Sequence, residues 1–237
     1  MYVENLSPRL QAIAKHIPSG AFIADIGSDH AHLPLALWRS EIISRAIAGE
    51  YKQGPYASAI QNVQRFEGEQ QISVRKGNGL EVLSSTEEVD AVIIAGMGGE
   101  LIRTILSEGN SSLQDVKRLV LQPNVSADSV RSWLIENGWE LQTEEIIQDA
   151  PYFYEILVAS PGQPDRPYQS INKEAALLLG PYLMKEKNAA FKAKWEREYK
   201  NWQRVLGEME HAAEKTTQLQ EKRARLLEKM KIVKEVL

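Results

Sequence analysis

The stretch Ala21-Phe-Ile-Ala-Asp-Ile-Gly-Ser-Asp-His-Ala31 decides the fold of this chain. It opens with an apolar run typical of a short buried strand, turns at its single glycine, Gly27, and leads into a helical pattern at Leu33–Arg39. A strand, a glycine-containing loop and a helix, in that order, build the nucleotide-binding corner of a doubly wound sheet. We therefore expect a ligand-binding loop between Asp25 and Ala31.

The acidic residues of this loop limit the ligand that it can take. Asp25 ends the strand, and Asp29 stands where a dinucleotide-binding loop has its second glycine. Two carboxylates would repel a pyrophosphate, which needs backbone N–H groups and no nearby anion, so a nicotinamide dehydrogenase is disfavoured. They suit a cofactor with a cationic sulfur, an amino group and ribose hydroxyls, such as S-adenosylmethionine. The alternative is a tight turn capped by an aspartate.

Strand and helix signals alternate along the first two thirds of the chain, as in a parallel sheet with crossover helices. The predicted parallel strands are Ala21–Asp25, Arg45–Glu50, Ile72–Arg75, Ala91–Ala95 and Leu119–Gln122. The predicted helices are Pro8–His16, capped by Ser7, and then Leu33–Arg39, Tyr56–Phe66, Glu100–Ser107 and Ser126–Asn137. Glu140–Ile147 and Tyr154–Ala159 predict a terminal antiparallel pair, because no helix separates them. The expected fold is therefore a seven-stranded, Rossmann-like α/β sheet.

A second region follows a linker that contains three prolines and a glycine, Ser160–Pro167. We expect an α/β domain at residues 1–162 and a helical domain at residues 168–237, with a helix break at Gly180-Pro181. Two apolar stripes at heptad-type spacing predict a coiled-coil hairpin that turns near Ala213–Thr217. The stripes are Trp195, Trp202, Leu206 and Met209, and then Leu219, Leu226, Met230, Val233 and Leu237. The alternative is that these residues only cover one another and the first domain.

Composition excludes several classes of protein. The 237 residues are 43% hydrophobic and 25% charged, as in ordinary globular proteins. The chain has no cysteine for a disulfide, a thiolate metal site or a nucleophile, and its four histidines are too scattered to predict a zinc site, so we expect no metal. No apolar run approaches the ~20 residues of a membrane span, and the N-terminus does not resemble a signal peptide. We expect a cytoplasmic protein with no membrane contact and no obligate protein partner.

Charge is divided unevenly between the two regions. Residues 1–164 carry 12 Lys and Arg against 21 Asp and Glu, whereas residues 165–237 carry 16 against 11. An acidic region repels an RNA backbone and a basic one attracts it. The basic excess is densest in a run interleaved with aromatic residues: Lys185, Lys187, Lys192, Lys194, Arg197, Lys200 and Arg204. We favour RNA contact there over a merely solvated helix face.

The loops after the other parallel strands converge with the first, because the carboxyl ends of parallel strands share one edge of the sheet. Glu50 ends the second strand and can accept hydrogen bonds from ribose hydroxyls, and Asn78 lies between two glycines and can pair with an adenine edge. The glycines of Ala95-Gly-Met-Gly-Gly99 leave room for a ligand, and Leu121-Gln-Pro-Asn124 ends the fifth strand. This convergence predicts one binding crevice.

These motifs carry a resemblance to known proteins. The first region resembles class I S-adenosylmethionine-dependent methyltransferases. Nearly the whole chain resembles the bacterial TrmK family, which methylates N1 of the adenine at position 22 of tRNA. The matching strings are Leu6-Ser-Pro-Arg-Leu10, Ala24-Asp-Ile-Gly-Ser-Asp-His-Ala31, Ile47-Ala-Gly-Glu50, Gly54-Pro55, Ile94-Ala-Gly-Met-Gly-Gly99, Leu121-Gln-Pro-Asn124, Tyr154-Glu-Ile156, Gly180-Pro181 and Lys185-Glu-Lys-Asn188. Asn78 departs from relatives that have aspartate there, which keeps the acceptor and loses the charge.

The resemblance implies a role for each matched residue. The methionine part of the cofactor would be bound by Asp25, Gly27, Ser28 and Asp29. His30 would lie beside them, either as a cofactor contact or as a structural histidine. The ribose would be bound by Glu50, and the adenine by Asn78, Gly79 and Leu80. The floor between cofactor and target base would be Ala95, Gly96 and Met97. The candidate catalytic residues are Asp29, Gln122 and Asn124. The candidate tRNA contacts are Arg9, Pro123, Tyr154, Lys192 and Arg197.

Three functions stay open on the residues alone. The first is a tRNA adenine N1-methyltransferase. The second is a methyltransferase for another RNA or a small molecule, which would use the same cofactor loops, although the basic hairpin argues against a small metabolite. The third is a non-catalytic coiled-coil interaction protein, which would lack affinity for the cofactor.

Overall fold

The computed structural model describes residues 2–84, 86–210 and 216–237. They form two compact units, one that ends at Pro167 and one that begins at Tyr168. That residues 1–162 and 168–237 are separate functional domains stays a prediction.

One seven-stranded sheet forms the centre of the first unit. Its strands are β1 (Ala21–Ile26), β2 (Ile43–Glu50), β3 (Ile72–Lys76), β4 (Ala91–Met97), β5 (Arg118–Pro123), β6 (Trp139–Asp149) and β7 (Tyr152–Pro161). Their order across the sheet is β3-β2-β1-β4-β5-β7-β6. Strands β1 to β5 are parallel, and β7 runs antiparallel to both β5 and β6. The predicted α/β sheet with a terminal antiparallel pair is confirmed, although β6 and β7 are longer than predicted.

Helices precede and connect the parallel strands. In the described part of the first unit they are α1 (Pro8–Ala14), α2 (His32–Arg39), α3 (Gln53–Arg65), α4 (Gly99–Glu108) and α5 (Ala127–Glu136). Helix α1 begins as predicted, because the Ser7 hydroxyl accepts a hydrogen bond from the Leu10 backbone N–H. It ends two residues before the predicted end, since the N–H groups of His16 and Ile17 bond three residues back instead of four.

The order of strands reverses at β1, which pairs with β2 on one side and with β4 on the other. All six residues of β1 are buried, so the strand is fixed from both faces. Chain segments that leave β1 and β4 diverge, and a crevice opens between them at the carboxyl edge of the sheet. This crevice is where the sequence predicts a ligand.

Close packing beside the crevice depends on Gly99, the first residue of α4. A Cβ atom at Gly99 would lie 2.0 Å from the Ser126 carbonyl oxygen, a backbone atom that no side-chain rotation can move. The Gly99 N–H donates to the Val125 carbonyl at 2.8 Å, which keeps the two chain segments in contact. At the adjacent Gly98, a Cβ would meet only the Val125 side chain, at 3.8 Å. The two neighbouring glycines therefore differ sharply in what they tolerate.

A buried charge cluster fastens α5 to the antiparallel pair of strands. The Arg131 side chain is fully buried, and its Nε donates to Glu144 on β6 at 2.7 Å. Its Nη2 donates to Glu155 on β7, so one guanidinium holds two carboxylates. Burying a charge is costly unless it is paired. The guanidinium and the two carboxylates can be buried here because each is paired with a group of opposite charge.

The linker is bound to the start of β6. Glu140 accepts a hydrogen bond from the Gln163 N–H at 2.9 Å and forms an ion pair with Arg166. A Cβ at Gly162 would lie 2.6 Å from a Glu140 carboxylate oxygen, so the glycine lets the linker approach. The proline-rich segment thus has fixed contacts with the sheet.

Helices form the second unit. In its described residues they are α6 (Lys173–Leu179), α7 (Leu183–Glu186), α8 (Ala189–Glu210) and α9 (Thr217–Val236). Helix α6 ends before Gly180, at the predicted break. The Lys187 ammonium, just before α8, donates to the Val236 carbonyl at the end of α9 at 2.5 Å, so the two long helices run antiparallel.

The two apolar stripes differ in part from the prediction. Trp195, Met209 and Val233 are buried, as their spacing predicts. Ile232 is also buried and was not predicted, whereas Leu237 is 46% exposed because it lies beyond the last turn of α9. Residues 213–215 of the predicted turn lie outside the described residues.

Replacing Gly99 with alanine should destabilise the fold far more than the same change at Gly98. The new methyl group at residue 99 would overlap backbone atoms, and overpacking of this kind costs about 1–3 kcal/mol or more. Urea unfolding of Gly99→Ala and Gly98→Ala measures the free energy of unfolding of each. Equal losses for the two variants would contradict the packing argument.

Replacing Arg131 with methionine should lower the free energy of unfolding by about 3–5 kcal/mol, because it removes the counter-charge of two buried carboxylates. The matched control is Arg103→Met, which breaks an exposed ion pair of 3.2 Å with Glu136 and should cost at most about 1 kcal/mol. Urea denaturation at neutral pH measures both. A loss at Arg131 no larger than at Arg103 would show that the buried cluster is not required.

Candidate active site

A cavity of about 510 Å³ lies at the carboxyl ends of β1, β2, β3 and β4. Residues from each of these strands or from the loops that follow them form its wall, and α4 closes one side. The lining residues are Ile26, Gly27, Gly49, Glu50, Tyr51, Lys52, Pro55, Gly77, Asn78, Gly79, Met97, Leu101 and Ile105. The size suits a nucleoside-containing cofactor.

Gly27 lies where β1 meets this cavity. Its φ is +69°, and a Cβ would lie 2.3 Å from the terminal methyl of Met97, which also lines the cavity. Any side chain here would displace Met97 and adopt a backbone conformation that favours glycine. Gly27 and Met97, both predicted to line the site, therefore lie side by side at the edge of the cavity.

The next part of this loop contains three successive non-glycine residues with left-handed backbone conformations: Asp29 (φ +49°), His30 (+68°) and Ala31 (+60°). Such a run is unfavourable by itself and persists only when surrounding groups hold it. Glu50 accepts a hydrogen bond from the His30 N–H at 3.2 Å, and the Asn62 side-chain amide donates to the His30 carbonyl at 3.0 Å. Glu50 therefore supports the loop and lines the cavity at once. Asn62 lies in α3, and no motif in the sequence points to it.

Asp25 is buried at the end of β1 and accepts a hydrogen bond from the Ser28 hydroxyl at 2.7 Å. Burial, with a smaller contribution from the nearby Glu50 carboxylate, raises the pKa of Asp25 to about 7 against the opposing effect of the Ser28 hydrogen bond. Burial also raises the pKa of Glu50 above its usual value. The site therefore concentrates acidic groups that a cationic ligand would stabilise in their ionised form.

A smaller cleft of about 40 Å³ adjoins the acidic loop. It brings together the predicted methionine-binding residues, and it adds His32 and Arg9 from neighbouring helices. Its lining residues are Arg9, Leu10, Asp25, Gly27, Ser28, Asp29, His32, Leu33 and Ala95. His30 is not among them: its ring lies 5.6 Å from that of His32 between centroids, and its Nε2 lies 3.4 Å from an Asp29 carboxylate oxygen. The sequence singled out His30 and missed His32, since a helical start alone does not say which histidine faces inward.

Only part of the predicted adenine-binding segment lines the cavity. Asn78 and Gly79 line the large cavity, whereas Leu80 is buried and does not line it. Leu80 packs beneath Gly109, where a Cβ would lie 2.4 Å from it. Its position makes Leu80 a packing residue instead of a lining one. Two apolar residues of α4 that the sequence did not predict, Leu101 and Ile105, also line the cavity.

The end of β5 carries a hydrogen-bonded network beside the crevice. Gln122 is fully buried, and its Oε1 accepts from Arg9 Nη1 at 2.8 Å and from the Gly96 N–H at 3.1 Å. Its Nε2 donates to Asn124 Oδ1 at 3.1 Å, and Asn124 Nδ2 donates to the Gly96 carbonyl at 2.8 Å. The structure thus brings Arg9, Gln122 and Asn124 together around Gly96, which the sequence could not show.

The remaining predicted tRNA contacts occupy different settings. The Tyr154 ring is half-buried, with the Arg9 guanidinium carbon 5.6 Å from its centroid. Pro123 is buried in β5, opposite Met97, so as placed it does not offer a surface to a base. Lys192 and Arg197 are exposed on α8 of the second unit. Their roles in substrate binding stay predictions.

The donors and walls of this site fit S-adenosylmethionine. Glu50 offers a carboxylate at the end of β2, where ribose hydroxyls bind in doubly wound sheets. The apolar side chains of Leu101, Ile105 and Met97 suit a flat purine, and Asn78 offers an amide at the same end. Asp25 and Asp29 line the adjoining cleft and suit the amino and sulfonium cations. Among the described residues there is no cluster of three or more metal-ligating side chains, and no helix long and apolar enough to cross a membrane.

Three features together define a class I methyltransferase domain: the strand order, the acidic loop after β1, and the cavity at the topological switch point, where the order of strands reverses at β1. A family model described as TrmK, tRNA (adenine(22)-N(1))-methyltransferase, matches residues 23–235. The chain belongs to the TrmK family, and the resemblance stated from its motifs is confirmed.

Similar proteins cover nearly the whole chain. A tRNA (adenine(22)-N(1))-methyltransferase of Bacillus subtilis strain 168 is 44% identical over 232 residues, which are 98% of this chain and 97% of that protein. The crystal structure of the B. subtilis M1A22 tRNA methyltransferase TrmK matches with a TM-score of 0.91 over 98% of both chains. Streptococcus pneumoniae Sp1610, solved in complex with S-adenosyl-L-methionine, is 39% identical, with a TM-score of 0.86 over 98% of this chain and 99% of that one.

Replacing Asp25 with asparagine should stabilise the ligand-free protein, and the gain should grow as pH rises. The folded-state pKa of about 7 is above the usual 3.8, so the folded state holds this proton more tightly than the unfolded state does. Between about pH 4 and pH 7, ionisation therefore increasingly opposes folding, and above pH 7 the penalty is complete. The free energy of unfolding of Asp25→Asn minus that of the wild type should rise by on the order of 2 kcal/mol from pH 5 to pH 8.

Urea unfolding at the two pH values measures this difference. The control is Asp29→Asn, which removes an exposed carboxylate from the same loop. If the free energy of unfolding of Asp25→Asn exceeds that of the wild type by the same amount at pH 5 and pH 8, the raised pKa of Asp25 is wrong.

Proposed function

We propose that this protein transfers a methyl group from S-adenosylmethionine to N1 of the adenine at position 22 of tRNA, which gives 1-methyladenosine. The observation that carries the proposal is the cavity at the switch point, with Glu50 on one side and the acidic cleft of Asp25 and Asp29 beside it. Membership of the TrmK family supports the substrate, and the Sp1610 complex supports the cofactor.

The residues of the two cavities divide the work of holding the cofactor. Glu50 accepts hydrogen bonds from the ribose, and Asn78 and Gly79 receive the adenine against the apolar wall of α4. Asp25 and Asp29 stabilise the cationic end from the smaller cleft. When bound, the cofactor supplies a methyl group activated by its positive sulfur.

Catalysis requires positioning and exclusion of water more than proton transfer. Adenine N1 has a lone pair at neutral pH, so no strong general base is needed to attack the methyl carbon. The methylated base is cationic, and the carboxylate of Asp29, which lines the cleft, stabilises charge as it develops. Asn124 and Gln122 lie at the end of β5, where the family resemblance predicts that the target base is held.

The substrate must present N1, which lies on the Watson–Crick edge and is hidden in a pair or stack. The adenine therefore has to be unstacked and inserted into a pocket. Tyr154 offers an aromatic face beside Arg9 on the first unit. Exposed Lys192 and Arg197 on α8 offer cations to the phosphate backbone.

Two other functions of the same fold make different predictions. A methyltransferase for another RNA would keep the cofactor cavities and the basic α8, and a small-molecule methyltransferase would not need the basic excess of the second unit. A non-catalytic protein would not need the acidic groups that surround the cavity. We place the reaction in the cytoplasm, where bacterial tRNA is modified, and we propose that the protein acts without an obligate protein partner.

Purified protein with labelled S-adenosylmethionine and two transcripts of one tRNA tests the proposal. One transcript carries adenine at position 22 and the other carries guanine. Label should appear as 1-methyladenosine only with adenine 22, as identified by mass spectrometry of digested nucleosides. If the protein binds the cofactor but neither transcript is labelled, the proposed substrate is wrong and the protein is a methyltransferase for another molecule. Absence of cofactor binding would favour the non-catalytic protein.

A further inference from the structure

We infer that Arg9 is a positioning residue, which acts through Gln122 to orient the side-chain amide of Asn124 toward the N6 and N7 edge of the target adenine. The inference rests on the proposed function, because it concerns how that adenine is read. Its basis is the chain of hydrogen bonds that surrounds Gly96 at the ends of β4 and β5.

The first link fixes the orientation of the Gln122 amide. Arg9 Nη1 and the Gly96 backbone nitrogen both point to the same Gln122 atom, at 2.8 and 3.1 Å. A guanidinium and a backbone N–H only donate, so this atom must be the oxygen. The Nε2 of Gln122 is therefore directed at Asn124.

The second link fixes the orientation of the Asn124 amide at both of its ends. Its oxygen accepts from Gln122 Nε2 at 3.1 Å, and its nitrogen donates to the Gly96 carbonyl at 2.8 Å. A flipped amide would place two donors face to face at Gln122 and two acceptors face to face at Gly96. The orientation that begins with Arg9 is thus transmitted through two side chains without ambiguity.

The network also holds the backbone between the two cavities. Gly96 has a φ of +77°, and both its N–H and its carbonyl are bound, by Gln122 and Asn124 respectively. Its neighbours on either side are Ala95, which lines the smaller cleft, and Met97, which lines the larger cavity. Arg9 lies against the same glycine, where a Cβ would be 3.4 Å from Nη1.

The exposed end of the network has the chemistry to read adenine. Asn124 is exposed, and an amide has two hydrogens and two acceptor sites, so one donor and one acceptor remain for a ligand beyond the two bonds above. Asparagine pairs in this way with the N6 amino group and N7 of adenine. Pairing on that edge leaves N1 open to the methyl group, whereas pairing on the Watson–Crick edge would occupy N1 itself.

Single-turnover methylation of two tRNAs tests this assignment, one with adenosine and one with 7-deazaadenosine at position 22. The analogue keeps N1 and N6 but replaces N7 with a carbon, so the wild type should methylate it roughly twofold to tenfold more slowly, the value of the one hydrogen bond that is lost. Gln122→Glu keeps an oxygen that faces Arg9 and Gly96 but replaces the donor to Asn124 with an acceptor, and it adds an ionisable group at a buried position. It should lose a similar factor on adenosine and no longer distinguish the two tRNAs.

Arg9 variants test the first link in a residue that is only half-buried. Arg9→Met should show the same loss of discrimination, and Arg9→Lys, which keeps a cationic donor, should retain part of it. Arg39→Met is the matched control, since Arg39 lies in the last turn of α2, over the Tyr2 and Phe66 rings and away from this network. Affinity for S-adenosylmethionine, measured by direct binding, should change less than about threefold in Gln122→Glu, because Gln122 lines neither cavity.

The outcomes separate the inference from the function on which it rests. If the wild type methylates adenine 22 but is indifferent to the loss of N7, or if Gln122→Glu still discriminates fully, the inference is wrong and the function stands. Loss of cofactor affinity in step with loss of rate in Gln122→Glu would also overturn it, because Gln122 would then act on the cofactor site or the fold instead of on Asn124. If the wild type does not methylate adenine 22 at all, the proposed function fails and the inference fails with it.

Discussion

The left-handed run at residues 29–31 is the constraint on which the site depends. Each such residue other than glycine costs on the order of 1–2 kcal/mol, so three in succession need compensation from fixed partners. Glu50 and Asn62 provide it, from the end of β2 and from α3, by binding both backbone groups of His30. The loop can therefore present acidic side chains at the crevice only because a neighbouring strand and helix are already in place. The cofactor site therefore forms only together with the sheet and the helix that support its loop.

The same dependence explains which features the sequence predicts and which it does not. Buried strands such as β1 and β4 are short apolar runs between turn signals, and the helices that alternate with them predict that the strands are parallel. Loops at the carboxyl ends of parallel strands must share an edge, so Glu50, Asn78 and Met97 could be predicted to meet. Local pattern is sufficient in each of these cases.

Contacts between distant segments follow no local pattern. Asn62 supports the loop from the middle of a helix, and the joining of Arg9 with Gln122 spans 113 positions. The sequence also does not show which side chains of a segment face the core. Leu80 is buried beside two residues that line the cavity, and Pro123 is buried between residues that are predicted to contact the substrate. Such outcomes depend on packing against atoms that the segment itself does not contain.

The buried carboxyl group of Asp25 has a consequence for the heat of cofactor binding. A group with a pKa of about 7 is only partly ionised in neutral solution, and a cation that settles beside it completes the ionisation. The released proton passes to the buffer. The enthalpy measured by calorimetry near pH 7 would then vary with the ionisation enthalpy of the buffer chosen, and its slope would count the protons that leave.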